Sequence, residues 1–128
     1  AFYIFEGLYM LGLAKTAEDM MRIGWGWFLF KGCRTTPEYF TLNASLCHAW
    51  SASPVYFLSK HMLGIHFPKA PDLNHVEINV QTHYAEFAEG KWPHPKGLIE
   101  VKWHKDAAGK RVFDYVKVPD GVTANVIG

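Results

Sequence analysis

Glu38 is the one acidic residue between Asp19 and Asp72, and Gly32, Thr35, Thr36 and Pro37 mark its segment as a loop. His48 and Trp50 follow a short way downstream, in the run Cys47-His48-Ala49-Trp50-Ser51-Ala52-Ser53-Pro54. A lone carboxylate close to an imidazole and an indole suits hydrolysis of a sugar. The carboxylate activates a water, and the aromatic groups hold the ring. Each residue also has a plainer reading. Glu38 could be a solvated loop carboxylate, His48 a satisfied polar residue ahead of a helix, and Trp50 a core residue like Trp25 and Trp27. What unites the three is that they flank the start of one predicted helix, whose exposed amides favour anionic or strongly polar neighbours.

Other chemistries find less support. The seven histidines (His48, His61, His66, His75, His83, His94 and His104) show no H-E-x-x-H spacing and no cysteine partner at zinc-ligand spacing, so no metal site is expected. No G-x-S-x-G, Walker or Rossmann glycine pattern occurs, and no cofactor is implied. Cys33 and Cys47 could bridge across the Glu38 loop or stand as two free thiols. The formal net charge of +1, with dispersed Lys and Arg, gives no electrostatic case for nucleic acid. No apolar run reaches membrane-spanning length, so no membrane partner is expected, and compartment is not legible.

The elements that position the trio follow from periodicity. At 128 residues, 49% hydrophobic and 16% aromatic, the chain suits one modest domain or parts of two. Phe2, Phe5, Leu8 and Tyr9 recur at helical spacing up to Gly12. Thr16 to Asp19 resembles a capping box. Leu13, Ala17, Met20, Met21, Gly24, Trp27 and Phe28 then form an apolar stripe, with Lys15, Glu18, Asp19 and Arg22 on other faces. Residues 31 to 47 form the connecting loop. Ser53 and Pro54 are a good N-cap and first-turn pair for a third helix to about Leu63, burying Val55, Leu58 and Met62. After Gly64 the period changes to two: Val76, Ile78 and Val80; then Ile99, Val101 and Trp103; then 112 to 118 after a loop over Lys105 to Lys110; then Val122, Ala124 and Val126. Helices followed by strands predict an α+β chain with segregated layers and a boundary near His66 to Leu73, where Pro68 and Pro71 interrupt both patterns. The abrupt ends, inside a helical pattern and just after a strand, suggest a piece of a longer protein.

Several motifs carry a family resemblance: Trp25-Gly26-Trp27-Phe28-Leu29, Gly32 to Glu38, Cys47 to Pro54, and Tyr56-Phe57-Leu58 through Leu63-Gly64-Ile65. They resemble the C-terminal end of the bacterial α-L-rhamnosidases, glycoside hydrolase family 78. Ala88-Glu89-Gly90, Pro93 to Gly97 and Ile99 to Trp103 look like that family's C-terminal β domain. The resemblance covers nearly the whole chain and is most specific over His48 to Pro54. It implies the last helices of an (α/α)6 barrel over residues 1–66 and an incomplete antiparallel β-sandwich over 67–128. It also implies an inverting hydrolase that releases terminal α-L-rhamnose. Glu38 falls at the family's general base and His48 at a sugar-contacting histidine, while Trp50 matches the sugar-binding motif. In the family the loop more often reads Gly-Ala-Thr-Thr, commonly with Trp before the Glu. Here the threonines sit one position later and Pro37 takes the aromatic's place.

An inverting enzyme also needs a general acid across from the base. The family's acid lies upstream of these helices, and Glu6 matches no acid motif. The expected partners are therefore a rhamnoside substrate and the remainder of the catalytic domain, and the chain alone is expected to be inactive. Three other readings remain open. One is an (α/α)6-barrel glycosidase for a different sugar. Another is a non-catalytic carbohydrate-binding module using strand-face aromatics such as Trp92 or Trp103. The last is a structural α+β domain with no sugar contact.

Overall fold

The computed structural model describes residues 1–127. The chain is α+β, with its helices first and its strands after them, and it divides into two compact units: Ala1–Phe57, and a second from Leu58 onward.

The first unit is helical. α1 (Phe2–Met10) and α2 (Ala14–Phe30) are joined by a short turn. Both helices end the same way. Gly12 and Gly32 take left-handed φ values of 72° and 82°, where a side chain would be strained. The amide after each glycine reaches back to close the helix, Leu13 to the Leu8 carbonyl at 2.8 Å and Cys33 to the Phe28 carbonyl at 3.0 Å. The first closure leaves no room for the capping box expected at Thr16. The chain re-enters helix at once, and Ala17 already donates to the Leu13 carbonyl at 3.1 Å. Thr16 is therefore inside α2, and Asp19 instead pairs with Lys15 at 2.7 Å.

The core of this unit is Phe5, Tyr9, Ala17, Met21 and Phe57, with Trp25 and Tyr56 packed against it. Phe57 comes from α3 (Ser53–Phe57) and lies 5.4 Å from the Phe5 ring and 5.9 Å from that of Tyr9. The expected apolar stripe needs correcting at both edges. Glu18 is buried, whereas Leu13, Met20 and Trp27 are exposed. The third helix is rotated as well: Ser53, Phe57 and His61 are buried, Val55 and Leu58 are exposed, and Met62 is only half-buried. Phe57 explains this, since a ring that meets Phe2, Phe5 and Tyr9 of α1 outweighs the burial of one valine. From Leu58 to Met62 the helical path widens into a π-turn.

The second unit is a pair of sheets. One holds β1 (Ile65–His66), β2 (His75–Asn79) and β6 (Thr123–Ile127) in the order β1-β2-β6. The other is the meander β3 (Phe87–His94), β4 (Gly97–Lys105) and β5 (Arg111–Lys117). Ile65, Val76 and Ile78 of the first sheet meet Ala88, Ile99, Val101 and Trp103 of the second in one core. All pairs are antiparallel except β2 with β6, which run parallel from His75↔Thr123 to Asn79↔Ile127. The all-antiparallel expectation fails there because β6 reaches β2 only after the whole meander, not through a hairpin. Leu63 and Ile65 belong to this core, so the compact units divide between Phe57 and Leu58, ahead of the proline-marked boundary read from the sequence.

Trp103 is fully buried and its indole N–H donates to the Met62 carbonyl at 2.9 Å. It is a core residue and offers no face for a sugar to stack on. Trp92 is half-buried against the same core. Among the described residues no helix is long and apolar enough to cross a membrane, and no group of three or more His, Cys, Asp and Glu could hold a metal ion.

Candidate active site

The loop that carries Glu38 is two facing arms. His48 N–H donates to the Thr36 carbonyl at 2.8 Å, and the Thr36 hydroxyl donates back to the His48 carbonyl at 2.7 Å. One step along, Glu38 N–H donates to the Ser45 carbonyl at 2.8 Å, and the Thr35 hydroxyl donates to the Leu46 carbonyl. The two threonines thus act as rungs. A threonine hydroxyl can donate where a strand's backbone has no partner left, which is how an irregular loop holds a fixed width. Glu38 is thereby fixed on one arm and His48 on the other.

Helix α2 holds both arms from below. The Phe40 ring lies 5.1 Å edge-on to Trp25 and 5.9 Å from Phe28. It also covers Gly24 so closely that a Cβ there would be 2.9 Å from the ring's Cε1 atom. The Trp25 indole N–H donates to the Ser51 carbonyl at 2.8 Å, pinning the short 3-10 turn Ala49–Ser51 that follows His48. Pro37, just before Glu38, is fully buried and plugs the loop onto the helices. These anchors were not singled out from the sequence. The one available signal was Gly24, a glycine inside a helical pattern, where the missing Cβ leaves room for a close neighbour.

The three candidate side chains differ in setting. Glu38 is half-buried, while His48 and Trp50 are exposed, Trp50 by 78%, so Trp50 is no core residue. His48 Nδ1 accepts the Trp50 N–H at 3.1 Å and caps the 3-10 turn. An accepting Nδ1 puts the neutral ring's proton on Nε2, which leaves a donor directed away from the turn. Among the described residues no hydrogen bond joins the Glu38 carboxylate to His48 or Trp50. A cleft of about 200 Å3 lies nearby, lined by Trp25, Phe28, Arg34, Thr36, Pro37 and Val55, among others, and none of the trio lines it.

The sequence matches no protein-family model and no curated protein. The remaining acids of the helical unit are engaged elsewhere. Glu6 accepts from the Tyr56 hydroxyl at 3.4 Å, Asp19 pairs with Lys15, and Glu18 is buried in α2. Cys33 and Cys47 are free thiols, so the loop is closed by hydrogen bonds and ring packing and not by a disulfide.

Proposed function

We propose that this chain is the base-bearing end of an inverting glycoside hydrolase acting on terminal α-L-rhamnosides. Its helical unit would supply the last helices of an (α/α)6 barrel, and its two-sheet unit the C-terminal β domain. The observation that supports this most directly is the cross-bonded loop. It ties a half-buried carboxylate and an imidazole to facing arms and leaves an exposed indole two residues beyond the histidine. In this reading Glu38 takes the proton from water as that water attacks the anomeric carbon. His48 donates from Nε2 to a sugar hydroxyl, and Trp50 covers an apolar face of the ring. The leaving oxygen is protonated by an acid from the rest of the catalytic domain, since an inverting pair stands about 6.5–9.5 Å apart and no other acid of this unit shares the loop.

The test is turnover of an aryl α-L-rhamnoside by the enzyme that carries this chain. Glu38→Gln should lower kcat by about 10²–10⁴-fold with the fold intact. Proton NMR of the first product should show β-L-rhamnose, the mark of single displacement. Near-normal turnover by Glu38→Gln, or α-rhamnose as the first product, would overturn the assignment.

A further inference from the structure

β3 is an edge strand whose outer side has no partner among the described residues. Which of its groups face outward follows from the pairing. Lys105 N–H donates to the Glu86 carbonyl at 2.8 Å, in the same register that sets Phe87 opposite His104 and His94 opposite Gly97. Hydrogen-bonded pairs alternate along an antiparallel ladder, so Ala88, Gly90, Trp92 and His94 spend their backbone groups on β4. Phe87, Glu89 and Lys91 turn theirs to the open side. Pro93, the next in that row, has no N–H to leave unpaired, which suits an edge. The side chains of the outward-bonding residues are all exposed, Phe87 by 73%. Beside this edge runs an open groove of about 430 Å3, bounded across from β3 by Leu58, Ser59 and Met62.

The charges on the strand favour one occupant. Glu89 pairs with Lys102 at 3.4 Å and Lys91 with Glu100 at 3.4 Å, so signs already alternate across the sheet. Two copies of β3 laid antiparallel can bond only through residues that turn outward. A two-fold axis at Glu89 or at Lys91 sets like charges face to face, which is unfavourable. An axis at Gly90 sets Glu89 opposite the second copy's Lys91, and Lys91 opposite its Glu89. The row then continues without a break: Lys102, Glu89, Lys91 and Glu100, the last two from the second copy. In this register Pro93 falls opposite Phe87 at the end of the ladder, where the missing N–H matters least.

We propose that this edge is a self-association site. Two copies join β3 to β3 about a two-fold axis at Gly90, turning two three-stranded sheets into one continuous antiparallel sheet. The contact is isologous and closes on itself, so it yields a dimer and not a fibre. One strand edge is a small interface, and the association should be weak.

Sedimentation velocity of the full chain at increasing concentration tests this. The wild type should pass from monomer to dimer. Glu89→Lys and Lys91→Glu should each weaken association about tenfold or more, because both cross-strand pairs become repulsive. An equimolar mixture of the two variants should associate as tightly as the wild type, since two lysines then face two glutamates. Lys91→Pro removes an outward N–H without touching a backbone hydrogen bond to β4, so its weakening should come with an unchanged far-UV circular dichroism spectrum. A wild type that stays monomeric, a dimer indifferent to both charge reversals, or a mixture that fails to recover would overturn the proposal.

Discussion

His48 has one role in the fold and a second in the proposed function, and the two can be separated. Its Nδ1 caps the 3-10 turn through the Trp50 amide, while Nε2 is the atom assigned to the sugar. Asparagine can accept the same amide but offers no ring nitrogen at the Nε2 position. His48→Ala should therefore cost about 0.5–1 kcal/mol in chemical denaturation, and His48→Asn much less. Under the proposed function both should also raise KM for an aryl rhamnoside. If His48→Asn restored KM as well as stability, the ring would be a cap and nothing more. Glu38 is simpler at this scale: its amide is committed to the loop, and its carboxylate makes no hydrogen bond to either of the other two candidates.

At the scale of elements, legibility followed how much of the signal a single strand or helix carries by itself. β4 was plain because Ile99, Val101 and Trp103 alternate and all three are fully buried. β3 was hidden because Gly90 and Pro93 break its pattern, and its identity comes from the partner β4 and the open edge. The spacing places the third helix but not its buried face, since Phe57 answers to rings on α1, far away in sequence. The Glu38 loop could be read from its glycine, threonines and proline, whereas its anchors on α2 could not, because they rest on packing. Gly24 and Gly26 allow that packing to be measured. A Cβ on Gly26 meets nothing within 4 Å, so Gly26→Ala should stabilise α2 by about 0.5–1 kcal/mol through helix propensity alone. At Gly24 the same gain is opposed by the Phe40 ring at 2.9 Å. Gly24→Ala should show less stabilisation and faster amide exchange at Glu38, whose N–H depends on the arm that Phe40 holds down. Equal stability and equal exchange in the two variants would mean that Phe40 does not hold the loop.

At the scale of the whole molecule, the order of helices then strands and the period of each were legible. Glu18 was not: with Lys15, Asp19 and Arg22 it reads as part of the polar surface, yet it is buried in the fold. Its effect should be felt in alkali. The Tyr9 phenol is pushed up to about 12, first by burial and then by the negative charge of Glu18. Below pH 10 the phenol is neutral in folded and unfolded chains alike and contributes no pH dependence. Between about 10 and 12 the unfolded chain releases this proton while the folded chain keeps it, so stability falls as pH rises through that window. The wild type should thus lose about 1 kcal/mol more than Tyr9→Phe between pH 9 and pH 11, measured by urea unfolding. Exposed tyrosines and lysines titrate equally in both proteins and cancel in the difference. Adding Glu18→Gln to the wild type should shrink the excess by the charge's share and leave the share due to burial. Parallel pH profiles for wild type and Tyr9→Phe would show that the phenol ionises as readily in the fold as in water.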